Sequence, residues 1–269
     1  MKAYVDTTIL ADILLNSGQV KKDAQKALAT FDSSTLPVYA IKEFKAGPLH
    51  HFAYIHNKLV TTKSFQLSLQ ALQKLSRTPR RNQLSTSLQA IVQGLAKSFS
   101  KFTTKDLIDK YPSANIDYVQ YDELRLAISG IIHRAWKRRR KVTSEIVEPL
   151  TCYRESAPYM DRDLIVVDSC ECSEEHGCCV GRAMQKKPET LSRMRESIKN
   201  SSKPENQKRS KVLREMIRKP KADITNQDCR NLGDAVFVFF APDDSIILTT
   251  NVQDFKPLAD ALGKTVQRP

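Results

Sequence analysis

Near the C-terminus, Gly233 and Asp234 stand directly ahead of an apolar block running from Ala235 to Ala241; Pro242 and two acids close it before a short apolar run, Ile246 to Leu248. No other stretch restricts the fold as much. A carboxylate is favoured in the first turn of a helix, where exposed amides and the positive dipole end attract an anion, so Asp234 is predicted to open one. Pro242 ends that helix. The run ending at Leu248 reads as a buried strand, followed by Thr249, Thr250 and Asn251. In open α/β sheets, ligands gather at the carboxyl ends of the strands.

The beginning of the chain supplies a matching half. Met1 to Asp6 reads as a short strand ending in a carboxylate, and the spacing of Ile9, Leu10, Ile13 and Leu14 predicts a helix after it. The segment from Val38 to Gly47 reads as a strand entering a helix, with Glu43 at the junction. Strands alternating with helices predict a parallel sheet covered by helices.

Between these ends the pattern is mainly helical. Leu49, Phe52, Ile55 and Leu59 recur at helical spacing, and so do the apolar positions from Leu124 to Trp136. The latter helix ends in a basic run with Arg134, Lys137, Arg138, Arg139 and Arg140 around Trp136. Such a run binds phosphates through counterion release, with Trp136 stacking on a base, or else it is a helix C-terminus enriched in cations with Trp136 in the core. Residues 164 to 168 form the clearest strand of this middle region. Asp168 at its end imitates Asp6, so this strand is a candidate for the central sheet.

Cys170, Cys172, His176 and Cys178 follow within a loop at 170–179, a ligand set that suits zinc, although the spacing is not that of paired knuckles. Free thiols are the alternative. From Gln185 to Lys221, Lys and Arg far outnumber Glu, with Lys208, Arg209, Lys211 and Arg214 in the second half. That composition predicts a partly mobile linker, or a basic guide for a polyanion.

A net charge of +13 and a pI near 9.5 point to an anionic partner, nucleic acid first, against a basic surface kept only for solubility. No apolar run approaches the roughly 18 residues of a membrane span, and the N-terminus enters a strand without a leader pattern, so a cytoplasmic protein is expected. Six irregularly spaced cysteines then argue for thiols or a metal site over a disulfide framework.

With Val5 to Thr8, Glu43, Gly233 to Ala235 and Leu248 to Phe255 in this order, the chain resembles the PIN-domain family of metal-dependent nucleases. The resemblance covers residues 1 to 55 and 222 to 264. It implies an α/β PIN-like domain built from residues 1–55 and 222–269, with 56–221 as a mainly helical basic insertion. It also implies metal-ligand and catalytic places for Asp6, Glu43 and Asp234, with Asn251 and Asp254 sharing the last position and Thr250 orienting it. Asp228 is a further candidate, or simply an N-cap or turn residue. The chain departs from the family in Phe237, Phe239 and Phe240, where small residues are commoner, and in the length between Glu43 and Asp234.

Carboxylates without His or Cys partners suit hard cations, Mg²⁺ or Mn²⁺, that bind phosphates and activate water. The expected activity is phosphodiester hydrolysis, and the resemblance favours RNA. Compact relatives of this type include toxins held by an inhibitory protein partner. The alternatives are a non-catalytic nucleic-acid-binding or assembly protein with a degenerate domain and structural zinc, or a phosphatase or DNA nuclease of related fold.

Overall fold

The computed structural model describes residues 1–76, 109–112, 115–147, 156–168, 179–220 and 224–269. The protein is α/β. Strand β1 (Lys2–Val5) leads through Asp6 into helix α1 (Thr7–Leu14), and α2 (Gly18–Leu28) returns the chain to β2 (Ser33–Pro37). Helix α3 (Val38–Phe44) begins directly after Pro37, which serves as its N-cap with φ −69° and ψ 143°. A π-helical turn (Lys45–Leu49) then carries the chain into α4 (His50–Thr62) without a break, with Pro48 inside it. Glu43 therefore lies in the last turn of α3, not at a strand-to-helix junction. The apolar run from Leu36 to Ile41 serves equally well as strand or buried helix, which is why its pattern alone misplaces the boundary.

After α5 (Phe65–Ser76), helix α6 (Ile116–Arg138) packs on α4 and leads to the short strand β3 (Glu145–Val147). Strands β4 (Tyr159–Asp161) and β5 (Leu164–Val166) form an antiparallel hairpin of their own. The strand expected for the central sheet is thus in a satellite hairpin, and β3 takes the place beside β2 instead. Asn57 of α4 fixes the hairpin, donating to the Ile165 carbonyl at 2.9 Å and accepting from its N–H at 2.8 Å.

Helices α7 (Cys179–Gln185), α8 (Pro188–Ile198), α9 (Pro204–Arg218) and α10 (Asn226–Leu232) follow, then α11 (Asp234–Phe240), β6 (Ser245–Leu248), α12 (Val252–Leu262) and β7 (Thr265–Gln267). The basic segment expected to be partly mobile is a helix pair. Leu191, Met194 and Ile198 line one side of α8, and Val212, Leu213 and Met216 one side of α9, all buried. Their three- and four-residue spacing seats α8 against α12, while Lys208, Lys211, Arg214 and Arg218 are exposed and Arg209 is buried.

The central sheet is parallel in the order β3-β2-β1-β6-β7. β1 and β6 pair in register from Lys2 with Ser245 to Val5 with Leu248. Ala3, Tyr4 and Val5 are all buried, as a central strand covered on both faces requires. One hydrophobic core runs from these strands into α4, α6, α8 and α9. The middle of the chain therefore supplies both a strand of the sheet and part of the core. No helix among the described residues is long and apolar enough to cross a membrane.

Candidate active site

The register of β1 and β6 brings two residues together just beyond the strands: Asp6 after Val5, and Thr249 after Leu248. Asp6 caps α1 and is 3% exposed. Its Oδ1 accepts from the Thr7 N–H at 2.6 Å, and its Oδ2 accepts from the hydroxyls of Thr8 and Thr249, each at 2.7 Å. Burial pushes Asp6 above the usual carboxylate range, opposed by these hydrogen bonds from Thr249, Thr8 and Thr7. The fully buried Thr249 also receives the Asn251 N–H at 3.0 Å. Thr250, expected to orient the site, contributes its backbone N–H to the Thr8 hydroxyl at 3.1 Å. The residues that orient Asp6 are thus Thr8, its neighbour in the helix cap, and Thr249, which is legible only once the strands are in register.

Glu43 approaches from α3 and accepts from the Thr7 hydroxyl at 3.0 Å. Burial first, then the charges of Asp6 and Asp234, push it up to about 8. Asp234 opens α11 after Gly233, whose φ of +42° and ψ of −113° turn the chain sharply out of α10. Burial raises Asp234 to about 6, with Asp6 and Asp254 adding to the rise and Arg209 opposing it. Asp6, Glu43 and Asp234 thus form an electrostatically coupled group at the carboxyl edge of the sheet.

Two cations enter from the helix pair. Arg209, 5% exposed, donates to Asp234 Oδ2 at 2.7 Å, to the Leu232 carbonyl at 2.9 Å and to Asn206 Oδ1 at 2.7 Å. Arg209, expected on a nucleic-acid surface, is turned inward instead. Lys203 donates to Asp254 at 2.6 Å. Burial works to raise Asp254, but hydrogen bonds from Lys203 and Asn251 outweigh it and leave the group below the usual carboxylate range.

Asp6, Glu43 and Asp234 line a cleft of about 860 Å³, and Asn251 lines it with them, whereas Asp254 does not. Asp168 reaches the same cleft from the end of the β4–β5 hairpin, as do His50 and His51 from α4 and Arg230 from α10. Burial and then the neighbouring His50 hold His51 below its usual range. Asp12, missed in the sequence, lines the cleft one helical turn from Thr8, a position that the periodicity of α1 allows one to read.

Comparison with family models, curated proteins and solved structures returns no match.

The other candidates lie elsewhere. Asp228 forms a capping box with Thr225 at the start of α10 and does not line the cleft. Trp136 is 7% exposed and stacks with the buried Arg139, 3.6 Å from its ring centroid, so it offers no face to a base. Arg134, Lys137, Arg138 and Arg140 are exposed at that helix end, and Lys208, Lys211 and Arg214 on α9. Cys170, Cys172, His176 and Cys178 lie outside the described residues.

Among the described residues, no three His, Cys, Asp or Glu side chains are grouped closely enough to enclose a metal ion. Mg²⁺ does not need such a cage, because it keeps several waters and takes one or two carboxylates. The oxygen donors of Asp6, Glu43, Asp234 and Asn251 suit it in kind.

Proposed function

We propose that the protein is a metal-dependent nuclease that hydrolyses phosphodiester bonds, most naturally those of RNA, in the cytoplasm. The observation that carries this reading is the group of three carboxylates, Asp6, Glu43 and Asp234, facing one cleft in which burial raises all three and the neighbouring carboxylates raise Glu43 and Asp234 further. Such a group binds a cation favourably because a positive charge relieves both penalties. The preference for RNA comes from the resemblance to PIN-domain nucleases.

Mg²⁺ or Mn²⁺ would be held by one or two of the carboxylates of Asp6, Glu43 and Asp234 together with waters, with Asn251 at the rim, and would supply charge stabilisation and an activated water. Thr8 and Thr249 lock the Asp6 carboxylate through its Oδ2, so its orientation is fixed before substrate arrives. Arg209 does the same for Asp234. Without a cation Glu43, raised to about 8, holds a proton at its carboxylate at neutral pH, and it would release that proton as a cation binds beside it. Arg230 and His50 on the cleft wall face an incoming phosphate backbone.

The test compares wild type with Asp6→Asn combined with Asp234→Asn on single-stranded RNA, DNA flaps and small phosphate esters, in Mg²⁺, Mn²⁺ or EDTA. Metal-dependent RNA cleavage that the variant loses while still folded supports the proposal. A second reading, a non-catalytic nucleic-acid-binding protein, is favoured by one observation: Arg209 and Lys203 already neutralise Asp234 and Asp254. It predicts RNA binding that survives EDTA and no cleavage product.

A further inference from the structure

A second cavity, of about 660 Å³, lies between α9 and α10. Lys208 and Lys211 line it from α9, three residues apart and so on one helical face, and Lys219 lines it from just beyond the end of that helix. Val212, Met216 and Ile224 give it an apolar floor, and the amides of Gln227 and Asn231 face it from α10.

The charge in this cavity is unbalanced. Its two carboxylates are engaged elsewhere: Glu215 pairs with Arg214 at 3.5 Å and Arg218 at 3.8 Å, and Asp228 accepts from the Thr225 hydroxyl at 2.8 Å. None of the three lysines forms an ion pair among the described residues. Lysines beside an apolar floor and amide groups fit a ligand with both a phosphate and a flat base.

The cavity also adjoins the candidate active site. On α9, Arg209 turns to Asp234 while its neighbours Lys208 and Lys211 face the cavity. On α10, Arg230 lines the cleft while Asn231 and Gln227 line the cavity. Only this short helix separates the two, and a helix is about 10–12 Å across with its side chains. We propose that the cavity is a distal nucleotide subsite for a single-stranded nucleic acid, with the lysines on its phosphates and the apolar floor against a base. The word distal rests on the nuclease reading of the cleft; the binding itself does not.

The experiment measures binding of a labelled single-stranded RNA in EDTA, where no cleavage intervenes, across a salt series. Wild type is compared with a Lys208→Gln, Lys211→Gln, Lys219→Gln variant and, separately, with Ile224→Ala, each checked for folding by circular dichroism. Three lost phosphate contacts lower the salt slope by about 2, so between about 50 and 200 mM salt the wild type loses roughly twentyfold more affinity than the triple variant. Ile224→Ala weakens binding with an unchanged slope. Equal affinity and slope in wild type and triple variant would overturn the proposal. In Mn²⁺, the triple variant cleaves a dinucleotide as wild type does but a longer RNA more slowly; equal loss on both substrates would show that the cavity is not distal. If wild type cleaves nothing, the nuclease reading fails, and the salt series still decides the subsite.

Discussion

Replacing Arg209 with Met removes a charge while keeping most of the side-chain volume. The guanidinium is buried and makes three hydrogen bonds, to Asp234, the Leu232 carbonyl and Asn206. Stranding one partner of a buried ion pair costs about 3–5 kcal/mol. The Asp234 side chain is still 22% exposed, and its pKa is already about 6, so it escapes part of that cost by taking a proton. The loss is therefore set near the lower end, about 3 kcal/mol, above neutral pH. Near pH 5 Asp234 is mostly protonated in either protein, and what remains is the loss of the guanidinium's hydrogen bonds to neutral acceptors, about 1–2 kcal/mol. The sign follows from linkage: a carboxyl raised on folding contributes stability in acid that disappears as pH rises through its folded pKa, and removing Arg209 enlarges that loss. Urea unfolding of both proteins at the two pH values measures the difference. A loss that is equal at both, or larger in acid, would refute the reasoning.

Glu43, raised to about 8, and Asp234, raised to about 6, both favour the folded state in acid, so without divalent ions thermal stability falls as pH rises through 6 and then 8. Mg²⁺ or Mn²⁺ reduces that fall; a melting temperature that climbs over this window would show that these carboxylates are not buried together in the cleft. Phe237 is 1% exposed and packs edge-on against Tyr4, Tyr39 and Phe255, so Phe237→Ala destabilises by about 3–5 kcal/mol in denaturant unfolding. Thr249→Val takes one donor from Asp6 and one acceptor from the Asn251 N–H, costing about 1–3 kcal/mol, while Thr249→Ser restores both stability and any cleavage.

The two ends of the site were legible because they are local. Asp6 and Asp234 announce themselves as acids ahead of apolar helices, and both open helices in the fold. Glu43 is legible as a residue but not its place in the last turn of α3, since the run after Leu36 carries no period that separates strand from buried helix. Thr249 is not distinguishable from its neighbour Thr250 in the sequence because the choice depends on the pairing of β1 with β6, strands more than two hundred residues apart. The helix pair α8–α9 hid for a different reason. Its composition is that of a charged linker, and only the spacing of Leu191, Met194, Ile198, Val212 and Met216 reveals a buried face. Strand β3 is three residues long, too short for any pattern.

The most direct test of the account is a titration of the nucleic-acid-free protein with Mn²⁺, followed by electron paramagnetic resonance, for wild type, Asp6→Asn and Asp254→Asn. The account predicts saturable Mn²⁺ binding that Asp6→Asn abolishes and Asp254→Asn retains, because Asp254 is paired with Lys203 outside the cleft. No saturable binding in wild type, or binding that Asp6→Asn leaves intact, would contradict it.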